Sequence, residues 1–200
     1  MTSERSTRPY RMKRRAESQE QTRLRITESA AELHGTVGPS RTTVSAVAAH
    51  AGVRRSTVYR HFPDETALFD ACTSHWAAAN PPPDLSVWAA IKNPDVRLRV
   101  ALDDLYAFYR QTERMLDNLF RDETIVPQVE QRFVAFRNYL AAATDALLAG
   151  RRLRGAARRR TKAALGHAIA FATWKSLVRE QHLTDADAAA LMRALAAATS

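Results

Sequence analysis

Thr43-Val44-Ser45-Ala46-Val47-Ala48-Ala49-His50-Ala51-Gly52-Val53-Arg54-Arg55-Ser56-Thr57-Val58-Tyr59-Arg60-His61-Phe62 is the stretch that decides the fold, and its spacing predicts two short helices joined by a sharp turn. Val44, Val47, Ala48 and Ala51 recur at i, i+3, i+4 and i+7, one apolar stripe, with Thr43 placed to cap the first free N–H groups. Gly52 takes the left-handed conformation at little cost, so the chain reverses there, and Val53 drops an apolar side chain between the helices. In the second helix Val58 and Phe62, four apart, face inward, which leaves Arg54, Arg55, Ser56, Thr57, Tyr59, Arg60 and His61 outside.

That outer face consists of hydrogen-bond donors and positive charge, and it suits the major groove of duplex DNA. Arginine pairs bidentately with guanine, Ser and Thr bond to base edges or phosphates, and a tyrosine hydroxyl reaches a phosphate oxygen. A solvated basic helix of an ordinary bundle would carry similar residues. The small-residue stripe, the glycine turn, the apolar residue after it and the one-sided basic helix coincide here, and together they favour the DNA reading. Arg55, Ser56 and Thr57 are expected toward bases, Thr43, Tyr59, Arg60 and His61 toward phosphate. Arg41 and Thr42 are expected at phosphate near the start of the first helix, and Arg54 heads the second.

From Thr43 through Phe62, and on through Pro63-Asp64-Glu65-Thr66-Ala67-Leu68-Phe69, the chain resembles the amino-terminal DNA-binding domain of TetR-family transcriptional regulators. Val47-Ala48, Ala51-Gly52-Val53, Thr57-Val58-Tyr59-Arg60-His61-Phe62 and Leu68 carry the resemblance. Two positions depart from the family pattern. Many members place a phosphate-touching lysine three residues after the phenylalanine, where this chain has Glu65, and Arg54 stands where a serine cap is common. The resemblance implies an all-α protein in which an amino-terminal three-helix helix-turn-helix domain joins a larger helical ligand-binding and dimerisation domain. It further implies a palindromic double-stranded DNA operator, a small-molecule effector and a homodimer.

Composition agrees with a soluble helical chain. Of 200 residues, 46% are hydrophobic and 26% charged, with six glycines and eight prolines, enough for a core. No apolar run approaches the roughly 20 residues of a membrane span. The start lacks a signal-peptide h-region, so a cytoplasmic location and no membrane partner are expected. The single cysteine, Cys72, permits no intramolecular disulfide. The formal charge of +9 is uneven: residues 1–62 hold twelve Lys/Arg against five Asp/Glu. Such a field attracts a polyanion, because neutralising phosphates releases condensed counterions.

In chain order, residues 1–16 are expected as a disordered basic arm, either reaching an adjacent groove or backbone or serving as a solubilising tail. The helix-turn-helix domain is expected over 17–80, beginning with a helix from Glu17 to His34. After Phe62 a helix starts near Asp64 and carries Leu68, Phe69, Cys72 and Trp76; in the family its tilt transmits the effector signal. Cys72 and His75 have the spacing of half a metal site, but nothing completes four ligands, so a buried thiol and no metal are expected. Pro81-Pro82-Pro83 mark the boundary to an effector-binding and dimerisation domain over 81–200.

The middle of the chain is rich in aromatics and methionine. With the resemblance, Trp88, Tyr106, Tyr109, Met115, Phe120, Phe133, Phe136 and Trp174 are candidates to line a pocket for an apolar or cationic ligand; helical spacing alone fits a packed core equally. The acids Asp103, Asp104, Asp117, Asp122 and Glu123 are expected to be mostly solvated. Met115 to Phe120 reads as a separate short helix. Residues 149–162, with seven basic residues and no acid, read as a solvated connection. The last two helices are expected from Ala163 to about Gln181 and from Ala186 to about Ala198. Residues 163–198 are the expected dimer interface. One stripe of the last helix would comprise Ala189, Leu191, Met192, Leu195 and Ala196, after a capping box at Thr184 to Asp187.

The sequence holds no Gly-rich phosphate loop, no Gly-x-Ser-x-Gly elbow and no His-Glu-x-x-His, and its six histidines are scattered. Neither a catalytic residue nor a cofactor is expected. The alternative to a sequence-specific regulator is a helical architectural protein that binds DNA without ligand control.

Overall fold

The computed structural model describes residues 7–199, and every regular element among them is helical. In order these are α1 (Thr7–Thr36), a 3-10 turn (Pro39–Arg41), α2 (Val44–His50), α3 (Arg55–His61), α4 (Glu65–Ala79), α5 (Leu85–Ala89) and α6 (Pro94–Asp122). Then come α7 (Pro127–Leu148), α8 (Gly155–Ala168), α9 (Phe171–Lys175) running into a π turn (Ser176–Glu180), and α10 (Asp185–Ala198). Local chemistry sets most of the starts. Thr43, Asp64, Asp84 and Thr184 each accept a backbone N–H of the helix they precede, and Pro94 and Pro127 open α6 and α7, where a missing N–H costs nothing.

The chain divides into two compact units: residues up to Asn80 with Arg114–Val129, and Pro81–Glu113 with Glu130–Ser200. The stretch 114–129, expected in the second domain, therefore packs in the first. It is not a separate short helix either. Met115 to Phe120 continue α6 to Asp122, since nothing in the run Gln111-Thr112-Glu113-Arg114 breaks a helix.

In the first unit Ile26, Ala30, Val44, Val47, Val58, Phe62, Leu68 and Cys72 form one core shared by α1 to α4. The helix α1 begins at Thr7 rather than Glu17. Residues 7–16 are thus helical and not a disordered arm; Pro9 sits in the first turn, where it is tolerated, and Met, Lys, Arg and Ala are good helix formers. Residues 1–6 lie outside the described residues.

In the second unit Arg97 is buried, and its guanidinium donates to the carbonyls of Trp88, Ile91, Ala146 and Ala149 at 2.6–3.1 Å. It thereby closes the carboxyl ends of α5 and α7, where unpaired carbonyls and the helix dipole favour a cation. Trp174, also fully buried, donates its indole N–H to Asp185 at 2.9 Å and lies against the guanidinium groups of Arg110 and Arg179, at 6.0 and 5.7 Å. Arg110 forks onto Asp185 and Arg179 onto Glu113.

Three further expectations are corrected here. Residues 155–162 form the first turns of α8 rather than a connection, because alanine and arginine favour helix despite the local charge. The helix expected to run from Ala163 to Gln181 breaks at Ile169–Ala170. There the hydroxyls of Tyr106 and Tyr109 donate to the carbonyls of Ala168 and Ile169, replacing the helical partners. In α10, Ala188, Ala189, Met192 and Ala196 are buried, while Leu191 and Leu195 are exposed, so the expected stripe splits between two faces.

Candidate nucleic-acid interface

The two helices of the motif are fixed by short-range bonds. The Thr43 hydroxyl oxygen accepts the Ala46 N–H at 3.1 Å. At the turn Gly52 has φ 65°, and the Gly52 and Val53 N–H groups donate to Ala49 and Ala48 at 3.1 and 2.9 Å. A Cβ on Gly52 would meet no atom within 4 Å, so the glycine is required by its backbone angle and not by space. Val58 and Phe62, each 1% exposed, anchor α3 in the core, which stabilises by roughly 1.5–3 kcal/mol for each large apolar side chain.

Arg54, Arg55, Ser56, Tyr59 and Arg60 are left exposed, with Thr57 and His61 half-buried. Arg55 Nη2 donates to the Tyr59 hydroxyl at 3.2 Å, and its guanidinium lies 5.5 Å from the ring centroid. The pair stands one helical turn apart, so the phenol aims the guanidinium outward. Hydrogen bonding to Tyr59 holds Arg55 above its ordinary pKa, with a smaller contribution from the nearby carboxylate of Glu65. Where the family pattern places a lysine, an acid therefore acts on the recognition helix itself. Arg54 supplies no side-chain cap to α3.

Arg41 is exposed at the end of the 3-10 turn. Thr42 donates its hydroxyl proton to the Gly38 carbonyl at 2.8 Å and so has none left for a phosphate. Thr43 uses only its oxygen in the cap, and its hydroxyl proton stays available.

Several residues that hold this face were not singled out in the sequence. Arg23 Nη1 donates to the His61 carbonyl at 2.9 Å, and its guanidinium stacks 4.4 Å from the Phe62 ring centroid, tying α1 to the end of α3. The loop before α2 is gripped by the end of α6. Asn118 Nδ2 donates to the carbonyls of His34 and Gly35 at 3.0 Å, Arg121 Nη2 to Val37 at 3.0 Å, and Asp122 accepts the Ser40 N–H at 2.9 Å. Asp122 is fully buried, against the expectation of a solvated acid. Burial disfavours its charge, but bonds from Arg121 and Ser40 outweigh that and hold its pKa below the usual carboxylate value. Gly38, with φ 97°, lies against the same pair: a Cβ there would fall 2.0 Å from Arg121 Nη2. Sequence spacing carries no signal for bonds that span some 80 residues.

His34 lines a cavity of about 90 Å³ together with Thr42, Thr43, Glu65 and Phe69. Its Nδ1 lies 3.5 Å from Cys72 Sγ, which donates to the Phe69 carbonyl. Burial lowers the His34 pKa to about 4 and pushes the Cys72 thiol up to about 11, so both are neutral near pH 7. Among the described residues no group of three or more His, Cys, Asp or Glu is placed to hold a metal.

The pocket candidates are divided between the units. Met115 and Phe120 belong to the first unit, and the other six to the second. There Trp88 donates its indole N–H to Asp104 at 2.8 Å. Tyr109 packs against Phe171 and Trp174, at ring separations of 5.4 and 6.0 Å, and Phe136 against both Phe133 and Tyr139. The hydroxyls of Tyr106 and Tyr109 are spent on backbone carbonyls. No helix among the described residues is long and apolar enough to cross a membrane.

A capped, glycine-turned helix pair presenting a basic helix, in a chain that continues into a larger helical unit, defines a helix-turn-helix protein. Residues 26–72 match the family model for bacterial regulatory proteins of the tetR family. Solved structures share the fold across nearly the whole length. A protein of Mesorhizobium loti described as a TetR-family transcriptional regulator is 16% identical, with 90% of this chain and 96% of that one covered and a TM-score of 0.62. NalD of Pseudomonas aeruginosa, secondary repressor of the MexAB-OprM multidrug efflux pump, is 22% identical, with 91% and 96% covered and a TM-score of 0.61. A TetR transcription regulator from Haloarcula marismortui is 13% identical, with 90% and 96% covered and a TM-score of 0.57. Among curated proteins none is significantly similar in sequence.

Proposed function

We propose that this chain is a cytoplasmic, homodimeric repressor that binds a palindromic DNA operator and is released by a small apolar or cationic ligand. The observation that carries the reading is the outer face of α3. Arg55 is aligned by Tyr59 on a helix locked to the core by Val58 and Phe62, a placement that suits bidentate pairing with a guanine edge. Ser56 and Thr57 stand beside it for base edges. Thr43, Arg41, Arg60, His61 and Arg54 surround it for phosphates. The repressor role of NalD accords with the direction of control.

Dimerisation is supported by α10, whose exposed Leu191, Ala194, Leu195 and Ala198 recur at i, i+3, i+4 and i+7. A dimer is also what places two recognition helices about 34–36 Å apart, one turn of duplex. Ligand control is supported by the aromatic side chains gathered in the second unit, a residue type that binds apolar and cationic guests. The helix α6 is the segment common to both units, and its end holds the loop that leads into α2. A ligand that favours one position of α6 would shift the DNA-binding population, whereas equal affinity for both positions would shift nothing.

The test is gel-shift binding of the purified chain to its own upstream intergenic DNA with excess random competitor at moderate salt. A discrete complex that survives competitor is expected, and small molecules that dissolve it identify the effector class. Complexes that vanish equally with any competitor would replace this reading with that of an architectural DNA-binding protein.

A further inference from the structure

We propose that the first turns of α1 form a second DNA-contacting surface, a helical stripe of arginines that follows the sugar-phosphate backbone beside the site of the recognition helix. The inference rests on the DNA reading above and extends it to a part of the chain outside the family model, which begins at residue 26.

Among the described residues no other element covers the stripe; its contact is within α1 itself, where the Arg14 guanidinium lies 5.8 Å from the Tyr10 ring centroid. Every described side chain from Tyr10 to Gln21 is exposed, and full burial along α1 begins only at Ile26. A polar helix without a packed face is marginal in water. This one also places like charges at i, i+3 and i+4, namely Arg11 with Arg14 and Arg15, which destabilises an isolated helix further. An anionic partner reverses the sign of that repulsion.

Between Arg11 and Glu28, Arg23 apart, the arginines and the acids are sorted by face; Glu32, further along α1, lies in line with Arg14. At 100° per residue, Arg11, Arg14, Arg15 and Arg25 fall within one stripe about 100° wide, with Ser18 among them. Glu17, Glu20 and Glu28 fall on another face centred about a third of a turn away, and Lys13 shares theirs. A helix that merely kept the protein soluble has no need of this separation. The stripe rises roughly 20 Å from Arg11 to Arg25, a line of cations that matches the regular line of phosphates along a strand. Its position agrees. Arg23 fastens α1 to His61 and Phe62 at the end of α3, so Arg11 to Arg15 extend roughly 12–18 Å beyond the anchored end of the recognition helix.

The experiment measures binding of the full chain, the triple variant R11Q/R14Q/R15Q and the control K13Q to a random-sequence duplex and to the upstream intergenic duplex across a salt series. The expected result is that the slope of log K against log salt becomes shallower by about 2–3 in the triple variant, near 0.9 for each phosphate no longer neutralised, on both duplexes alike. The preference for one duplex over the other and the slope of K13Q stay unchanged. If the triple variant keeps the full slope while the chain binds DNA, the stripe is not a contact surface and the DNA reading stands without it. If K13Q loses as much per charge as the triple variant, binding follows net charge and the stripe assignment is overturned. If the unmodified chain binds neither duplex, this inference and the DNA reading fall together.

Discussion

At the scale of single residues the proposed DNA face is a balance of charges set by position. Glu65 is exposed on the first turn of α4 and acts on Arg55, so it offsets part of the field that the arginines create. Replacing it by lysine, E65K, is expected to raise affinity for any duplex by up to about tenfold and to steepen the salt slope by about 0.9, as one more phosphate is neutralised. Titration against random duplex checks this, and an unchanged or weaker affinity would place residue 65 away from the DNA. Behind that face, burial sets the protonation of His34. Its folded pKa of about 4 lies below the ordinary 6.5, so the unfolded chain takes up the proton first. The contribution to stability is complete above about pH 6.5 and is lost as pH falls toward 4, up to about 3 kcal/mol. Of the groups facing it, the Cys72 thiol is neutral over this range, and Asp122 slightly favours the imidazolium. Urea unfolding at about pH 7 and about pH 5 should show roughly 2 kcal/mol of this loss in the full chain and its absence in H34L. A variant that keeps the whole difference would trace the slope to other groups.

At the scale of elements the two kinds of helix ending in this chain explain what a reader of the sequence can and cannot see. The motif was legible because its determinants are local. Thr43 bonds three residues on, Gly52 supplies its own backbone angle, and Val58 and Phe62 repeat at the helical period. The exposed residues of α3 followed from that period alone. The break at Ile169–Ala170 was not legible, because apolar periodicity continues across it and the bonds that compensate it come from Tyr106 and Tyr109, some 60 residues earlier. The burial of Asp122 was hidden for the same reason, its partner Ser40 being 82 residues away. The division of the pocket candidates between two units was hidden because residues on one continuous helix, α6, serve both. Arg97 is the clearest long-range ending. It closes two helices at once with one planar fork, which lysine cannot reproduce. Replacement by lysine or methionine is therefore expected to lower the unfolding free energy of the full chain by about 3 kcal/mol, through carbonyls left buried and unpaired. Denaturant unfolding checks it, and a lysine variant as stable as the parent would mean that water satisfies those carbonyls.

At the scale of the whole molecule the proposed dimer turns on α10, because one chain presents one α3 and the proposed palindrome needs two. The buried face of α10 is made of Met192 and three alanines, Ala188, Ala189 and Ala196, whose small side chains allow close packing on α8, while Leu191 and Leu195 remain 47% and 41% exposed. Covering one such leucine is worth roughly 1.5–3 kcal/mol, and a symmetric interface covers each residue twice. Two glutamates placed there, L191E/L195E, would bring four carboxylates against one another in a dimer and meet only water in a monomer. The variant is expected to keep the helical signal of the parent, to sediment as a monomer, and to lose at least about a hundredfold in affinity for an operator that needs two half-sites. Its weak binding to random duplex should change far less, since charge on α1 to α3 is untouched. A variant that still sediments as a dimer would move the interface away from this face of α10. One that becomes monomeric yet holds the intergenic DNA as tightly as before would mean that a single recognition helix, with its flanking phosphate contacts, reads the site alone.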